Sequence, residues 1–166
     1  MTHPPHHQER RQFFRSLSGR GPVKRPPWTG DDLIDCCVRC DACLDACPEG
    51  VLHRGGGGYP EIRFVNEGCT LCGACIEACD AGVFDRERRP FPWQARIEPH
   101  CLAFNKIHCQ ACQDACDWRA ITFPAQIGRP PMPHVESDAC TGCGACQALC
   151  PTDAIVMASQ EMADAL

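Results

Sequence analysis

Sixteen of the 17 cysteines in this chain fall into four sets, and their spacing is that of ligands. Cys37, Cys40, Cys43 and Cys47 run C-x2-C-x2-C-x3-C, with Pro48 after the last. Cys69, Cys72, Cys75 and Cys79 repeat that spacing, with Asp80 in the proline's place. Cys140, Cys143, Cys146 and Cys150 repeat it again, followed by Pro151. The third set is split: Cys101 stands apart, and "LAFNKIH" separates it from Cys109, Cys112 and Cys116. Cys36 is left over. The sets recur at roughly 30-residue intervals, the mark of a repeated supersecondary unit.

Three thiolates two residues apart wrap one tight loop that grips three corners of an iron–sulfur cube. The fourth cysteine points elsewhere and ligates the neighbouring cluster, so one copy cannot close its own site. The spacing expects this fourth residue to start a short helix. Small residues inside the loops, Gly73, Ala74, Gly144 and Ala145, let backbone N–H groups approach the sulfurs. Structural zinc usually takes two C-x2-C pairs separated by a longer loop, which a third thiolate in the same loop does not fit. Disulfides need an oxidising compartment. The N-terminus "MTHPPHHQERRQFFRSLSGRGPVKRPPWTG" has no apolar run of signal length, and no stretch elsewhere could span a bilayer. The expectation is a cytoplasmic protein without membrane insertion, holding up to four [4Fe–4S] clusters on those sixteen cysteines. The third set is the least regular of the four. His100 and His108 flank it and read as ordinary loop histidines rather than substitute ligands.

Composition agrees. Without its cysteines, roughly a third of the chain is left to build a core, and glycine plus proline make up 29 of the 166 residues. Something inorganic must supplement so thin an interior. Net charge is −5, yet residues 1–25 carry six basic side chains and one acid, leaving −10 for the rest. An acidic body does not suit nucleic acid.

Short apolar runs bracket the sets: "EIRFV" (61–65), "ARIE" (95–98), "AITF" (120–123), "HVE" (134–136) and "AIVM" (154–157). All are of strand length, and segments after each third cysteine suit one or two helical turns. "WTGDDLIDCC" reads as a short helix capped by Thr29 or Asp31. Glycines 55–58 lack the lysine and helix of a phosphate loop and read as a turn. The fold expected is α+β: tandem bacterial-ferredoxin-like modules, with short strands and helices wrapped around clusters. The domains expected are a basic arm (1–27), one half with sets one and two (28–90), a second with sets three and four (91–160), and a tail (161–166). Pairing of set one with two and three with four is preferred over a nested scheme, because short connections between neighbours are commoner. No dinucleotide fingerprint, nucleophile elbow or suggestive carboxylate pair is present, so the chain reads as a carrier or accessory protein and not an enzyme.

The ordered segments "RPPW" (25–28), "CVRCDAC" (37–43), "RGGGGYP" (54–60), "CTLCGAC" (69–75), "CLAF…CQACQDAC" (101–116) and "CTGCGAC" (140–146) resemble the ferredoxin-type NapF family. The split third set, the glycine run before Tyr59-Pro60 and "RPPW" are its more telling parts. The resemblance implies a cytoplasmic accessory of the periplasmic nitrate reductase. Such a protein binds the precursor of the molybdenum-containing catalytic subunit before export. It helps that precursor mature by supplying or reducing its iron–sulfur centre. The alternative is a permanent electron-transfer subunit of a larger redox enzyme. Cys36 beside Cys37 departs from the pattern and reads as a partly buried spare thiol. "RRQFFR" (10–15) looks like the core of a twin-arginine signal but lacks the following apolar stretch. It reads either as a basic amphipathic helix docking on the partner through Arg10, Arg11, Phe13 and Phe14, or as a frayed tail.

Overall fold

The computed structural model describes residues 23–128 and 130–159. Five one-turn helices occur: α1 Leu33–Cys36, α2 Ala42–Asp45, α3 Ala74–Glu77, α4 Ala111–Asp114 and α5 Ala145–Ala148. Six short strands, β1 Leu52–Arg54, β2 Pro60–Ile62, β3 Trp93–Ile97, β4 Ile121–Thr122, β5 His134–Val135 and β6 Ile155–Ser159, pair into three two-stranded antiparallel sheets. No element is long enough to be stable alone. What repeats is a unit of cysteine loop, one helical turn, fourth cysteine and apolar residue.

The first half holds the β1–β2 hairpin, with Leu52 opposite Ile62 and Arg54 opposite Pro60. Its turn is the glycine run, a 3-10 turn over Gly56–Gly58 in which Gly57 and Gly58 take positive φ. Residues 23–27, at the end of the expected arm, belong to this body. Ile62 donates its N–H to the Lys24 carbonyl, and Pro27 is fully buried. In the second half, β4 pairs with β5, and β3 lies along β6 from Trp93–Ser159 to Ile97–Ile155. The first half answers that longer sheet with two hydrogen bonds, Trp28 N–H to Pro90 O and Asp85 N–H to Trp28 O.

Alternation places Ile155 and Met157 of β6 in the core, opposite Ile97 and Ala95 of β3. One buried cluster runs through both halves. Phe91, with no exposed surface, stacks on Trp93 at 4.9 Å and meets Phe64 edge-on at 6.2 Å. That aromatic row joins the halves. Phe91→Ala is expected to lower stability by about 3–5 kcal/mol, the usual cost of emptying a buried phenylalanine site. The urea midpoint of anaerobically loaded protein measures it.

Several expectations shift. The run at 61–65 is strand only to Ile62, because Phe64 turns into the core and Val65 turns out to solvent, 68% exposed. β6 extends two residues beyond the expected 157. Neither Thr29 nor Asp31 caps α1: Asp32 holds the cap position with no side-chain bond, while the Thr29 hydroxyl donates to the Pro26 carbonyl. The fourth cysteine of each set follows its helical turn instead of starting one, since α2 to α5 each begin one residue before the third cysteine and stop two residues before the fourth. Among the described residues, no helix is long and apolar enough to cross a membrane.

Candidate metal centres

The cysteine loops of sets one, two and four each reverse the chain within seven residues, which takes two left-handed positions. In set one these are Arg39 (φ 61) and Asp41 (φ 64); in set two, Leu71 (φ 55) and Gly73 (φ 85). In set four they are Gly142 (φ 78) and Gly144 (φ 81). Alternating right- and left-handed residues turn successive N–H groups to one side, forming a nest that suits an anionic cluster. Set three differs. Its positive φ has moved to Lys106 (φ 63) in the insertion, and Gln110 before α4 has φ −133 and ψ 14 where sets one, two and four have a left-handed residue.

After each fourth cysteine the chain makes the same turn. Gly50 (φ 60), Gly82 (φ 64), Arg119 (φ 51) and Asp153 (φ 53) each stand three residues on. Val51, Val83, Ala120 and Ala154 then enter the core. The turn aims the next N–H back at the thiol: Ala120 to Cys116 Sγ at 3.3 Å and Ala154 to Cys150 Sγ at 3.2 Å.

These turns bring the sixteen cysteines around four cavities of about 310–390 Å3, mouths included. The first is lined by Cys37, Cys40, Cys43 and Cys79. Cys69, Cys72, Cys75 and Cys47 line the second, with Pro27 and Trp28. Cys101, Cys109, Cys112 and Cys150 line the third. The fourth is lined by Cys140, Cys143, Cys146 and Cys116, with Trp118. Every cavity thus takes three thiols from one set and the last from its neighbour, in the sequential scheme and not the nested one. The insertion in set three does not deprive its cavity of Cys101, and His100 and His108 are exposed outside it. Cys36 lines none of these four cavities; it is exposed, not partly buried, at the end of α1.

Electrostatics follow the same grouping. Burial, then the charges of Cys37, Cys75 and Cys79, push the Cys43 thiol up to about 11. Burial raises Cys75 to about 11, with Cys47 and Cys72 next. Cys69 rises to about 12, chiefly by burial, opposed by the Leu71 N–H. Burial and Cys101 lift Cys112 to about 11, and burial with Cys143, Cys140 and Cys116 raises Cys146 further still. Such thiols keep their protons unless a cation compensates them.

The lining fits a cubic cluster. Four thiols ring each hollow, with Asp41 also lining the first and Glu49 the second. Among the described residues, no three His, Cys, Asp or Glu side chains gather as ligands of a single ion would. Thr141, which lines the fourth cavity, has a buried hydroxyl without a partner among the described groups, a donor that a bound cluster would satisfy.

Residues 36–83 and 107–154 each match the 4Fe-4S dicluster domain family Fer4_7, one copy per half. The chain is 43% identical over 134 residues to "Ferredoxin-type protein NapF" of Escherichia coli strain K12, covering 79% of this chain and 82% of that one. It is 45% identical over 136 residues to the Haemophilus influenzae protein of the same name, covering 80% and 77%. The chain belongs to the ferredoxin-type NapF family. It is also 30% identical over 165 residues to "Ferredoxin-type protein NapG" of H. influenzae, covering 84% of this chain and 59% of that one.

In this NapF-family chain the glycine hairpin steadies the first cavity. Arg39 and Arg25 lie over the Tyr59 ring at 5.4 and 5.9 Å, and Arg54 pairs with Asp41. Both strained, non-glycine residues of the first loop are thereby held by the hairpin, which sequence reading treats as a plain turn. Each cation–π contact contributes roughly 0.5–1 kcal/mol. Tyr59→Ala should therefore speed air bleaching of one cluster, with about four irons lost in an early phase. A single-phase loss at the wild-type rate would refute this. Trp28, Trp118 and Thr141 are further lining residues that no spacing rule flags; Trp118 and Thr141 stand within two residues of a cysteine, and Trp28 ends the "RPPW" segment. Arg10, Arg11, Phe13 and Phe14 lie outside the described residues.

Proposed function

We propose that this protein is a cytoplasmic [4Fe–4S] accessory protein that binds the precursor of a periplasmic nitrate reductase catalytic subunit. It assists maturation there by delivering electrons or a cluster. The observation that carries the reading is the grouping of sixteen cysteines into four four-thiol cavities within a NapF-family chain. Bound clusters supply one-electron redox chemistry without large ligand movement. The chain's own residues do the rest. Cys37, Cys40, Cys43 and Cys79 hold the first cluster; Cys69, Cys72, Cys75 and Cys47 the second. Cys101, Cys109, Cys112 and Cys150 hold the third, and Cys140, Cys143, Cys146 and Cys116 the fourth. N–H groups from the loops and from Ala120 and Ala154 offset the charge on the sulfurs. Residues 28–90 and 91–160 act as two ferredoxin-like halves.

Anaerobic purification tests the cluster content: about sixteen irons and as many sulfides per chain are expected. Zinc in place of iron would refute the reading. The partner is tested by pull-down. The precursor, still carrying its export leader, should be captured transiently, and mature enzyme should turn over without this protein. Fixed-stoichiometry co-purification with a mature enzyme that stops when this protein is removed would instead identify a permanent subunit.

The basic arm is the part proposed to dock. Its deletion must stop at residue 22, because Lys24 holds β2 and Pro27 lines the second cavity. Deleting residues 1–22 should weaken precursor capture at least about tenfold, roughly 1.4 kcal/mol, while iron content stays unchanged. Undiminished capture would dismiss the arm.

A further inference from the structure

We propose that the four cavities form one unbroken row, first, second, fourth, third, and that Gly68 is the positioning residue closing its middle step. This rests on the reading above that the cavities hold [4Fe–4S] clusters. Within each half the neighbours are fixed by exchange: Cys47 and Cys79 cross between the first and second cavities, and Cys116 and Cys150 between the third and fourth. The one-turn helices follow suit, α2 packing on α3 and α4 on α5.

The join between halves lies at the second and fourth cavities. Cys69 of the second donates its N–H to the carbonyl of Cys143 of the fourth at 2.7 Å. A single hydrogen bond therefore links a ligand residue of one cavity to a ligand residue of the next. Two glycines, one from each half, allow the approach. A Cβ on Gly68 would stand 2.5 Å from the Ala145 nitrogen and 2.6 Å from its Cα, against backbone that cannot step aside. A Cβ on Gly144, at φ +81, would lie 2.2 Å from the Phe64 ring. The Phe64–Phe91–Trp93 row and the bond from Trp93 Nε1 to the Gly142 carbonyl, 3.0 Å, brace the same junction.

The consequence is electron passage between halves that tandem, merely linked modules would lack. With clusters held by these cysteines, each step would oxidise one site and reduce its neighbour by one electron. The electron comes from a low-potential one-electron donor at one end. It leaves to the partner's iron–sulfur centre at the other.

The test is multifrequency EPR on the full-length wild type, loaded anaerobically and fully reduced with dithionite. A row gives the spins of the second and fourth cavities two near neighbours each. Two isolated pairs, with one near neighbour per spin, would overturn the proposal. Gly68→Ala with full iron and sulfide should lose the inter-half coupling and keep both pairs. A loaded Gly68→Ala protein with the wild-type spectrum would remove Gly68 from the role. Should Gly68→Ala fail to load, the double variant Cys40→Ala with Cys109→Ala decides. It keeps the second and fourth cavities complete, and one coupled pair supports the row while two uncoupled signals overturn it. Wild type without iron would instead sink the cluster reading itself.

Discussion

Stripped of iron by an anaerobic chelator, the protein loses its far-UV helix and strand signal together with its cooperative unfolding transition. The expectation follows from where the cysteines sit. Cys43, Cys75, Cys112, Cys140 and Cys146 belong to the same buried cluster as Phe91 and Ile155. Helices of four residues cannot stand without tertiary anchors. Each is tethered at both ends by a proposed ligand: α2 by Cys43 and Cys47, α3 by Cys75 and Cys79, α4 by Cys112 and Cys116, α5 by Cys146 and Cys150. Remove the clusters and the cavities become flooded hollows between the halves' few apolar side chains. Metal-site binding energy is then folding energy. Circular dichroism during chelation measures it, and a fold that survives complete iron removal would refute it.

Acidity should act in the same direction. Burial holds the thiols of Cys43, Cys75 and Cys112 near 11 and Cys69 near 12, against an ordinary thiol near 8.5. Ligation needs the thiolate, so assembly in this fold releases protons, and protons compete with iron throughout the range below those values. Reconstitution should therefore improve from pH 7 to pH 9, and acidification should hasten cluster loss. A transiently folded cluster-free chain has the opposite slope. Its raised thiols contribute stability below pH 9 that is lost as pH climbs toward 11 and 12, because unfolded thiols ionise first. High pH thus favours assembly while weakening whatever cluster-free fold precedes it, which predicts an optimum in the mildly alkaline range.

The candidate ligand sets were legible in the sequence because the spacing that groups them is local. A C-x2-C-x2-C loop can close on little else than three corners of a cube, whatever surrounds it. The exchanged fourth cysteine was legible for the same reason. What spacing left open, sequential or nested pairing, depends on which loops meet across the body. Cys79 reaching the first cavity is a tertiary fact. Strands were read where β-branched residues cluster, as in "AITF" and "AIVM". β1 went unread, although Val51 stands four residues after Cys47 as Ala120 does after Cys116 and Ala154 after Cys150. The offset was the signal, and Leu-His-Arg hides it from a propensity rule. The end of β2 at Ile62 had no local cause, since Phe64 leaves the strand to meet Gly144 and Phe91 from the other half. Gly68 looked like an ordinary loop glycine for a related reason. Its constraint is the Ala145 backbone, 77 residues away.

Cys47→Ala should empty the second cavity and spare the first, although Cys47 belongs by sequence to set one. Its thiol lines the hollow of Cys69, Cys72 and Cys75 and ranks just after burial among the influences on Cys75. Iron should fall from about sixteen to about twelve per chain. The count alone does not say which cluster is lost, so the comparison is spectroscopic. Cys47→Ala should match Cys72→Ala and differ from Cys40→Ala. The reciprocal variant Cys79→Ala should match Cys40→Ala, and Cys150→Ala should match Cys109→Ala. If each variant instead matched the cysteines of its own loop, every set would close on itself and the exchanged architecture would be wrong. A loss of both clusters in a half from one substitution would point to a different coupling, in which α2 and α3 unfold together once either tether is cut.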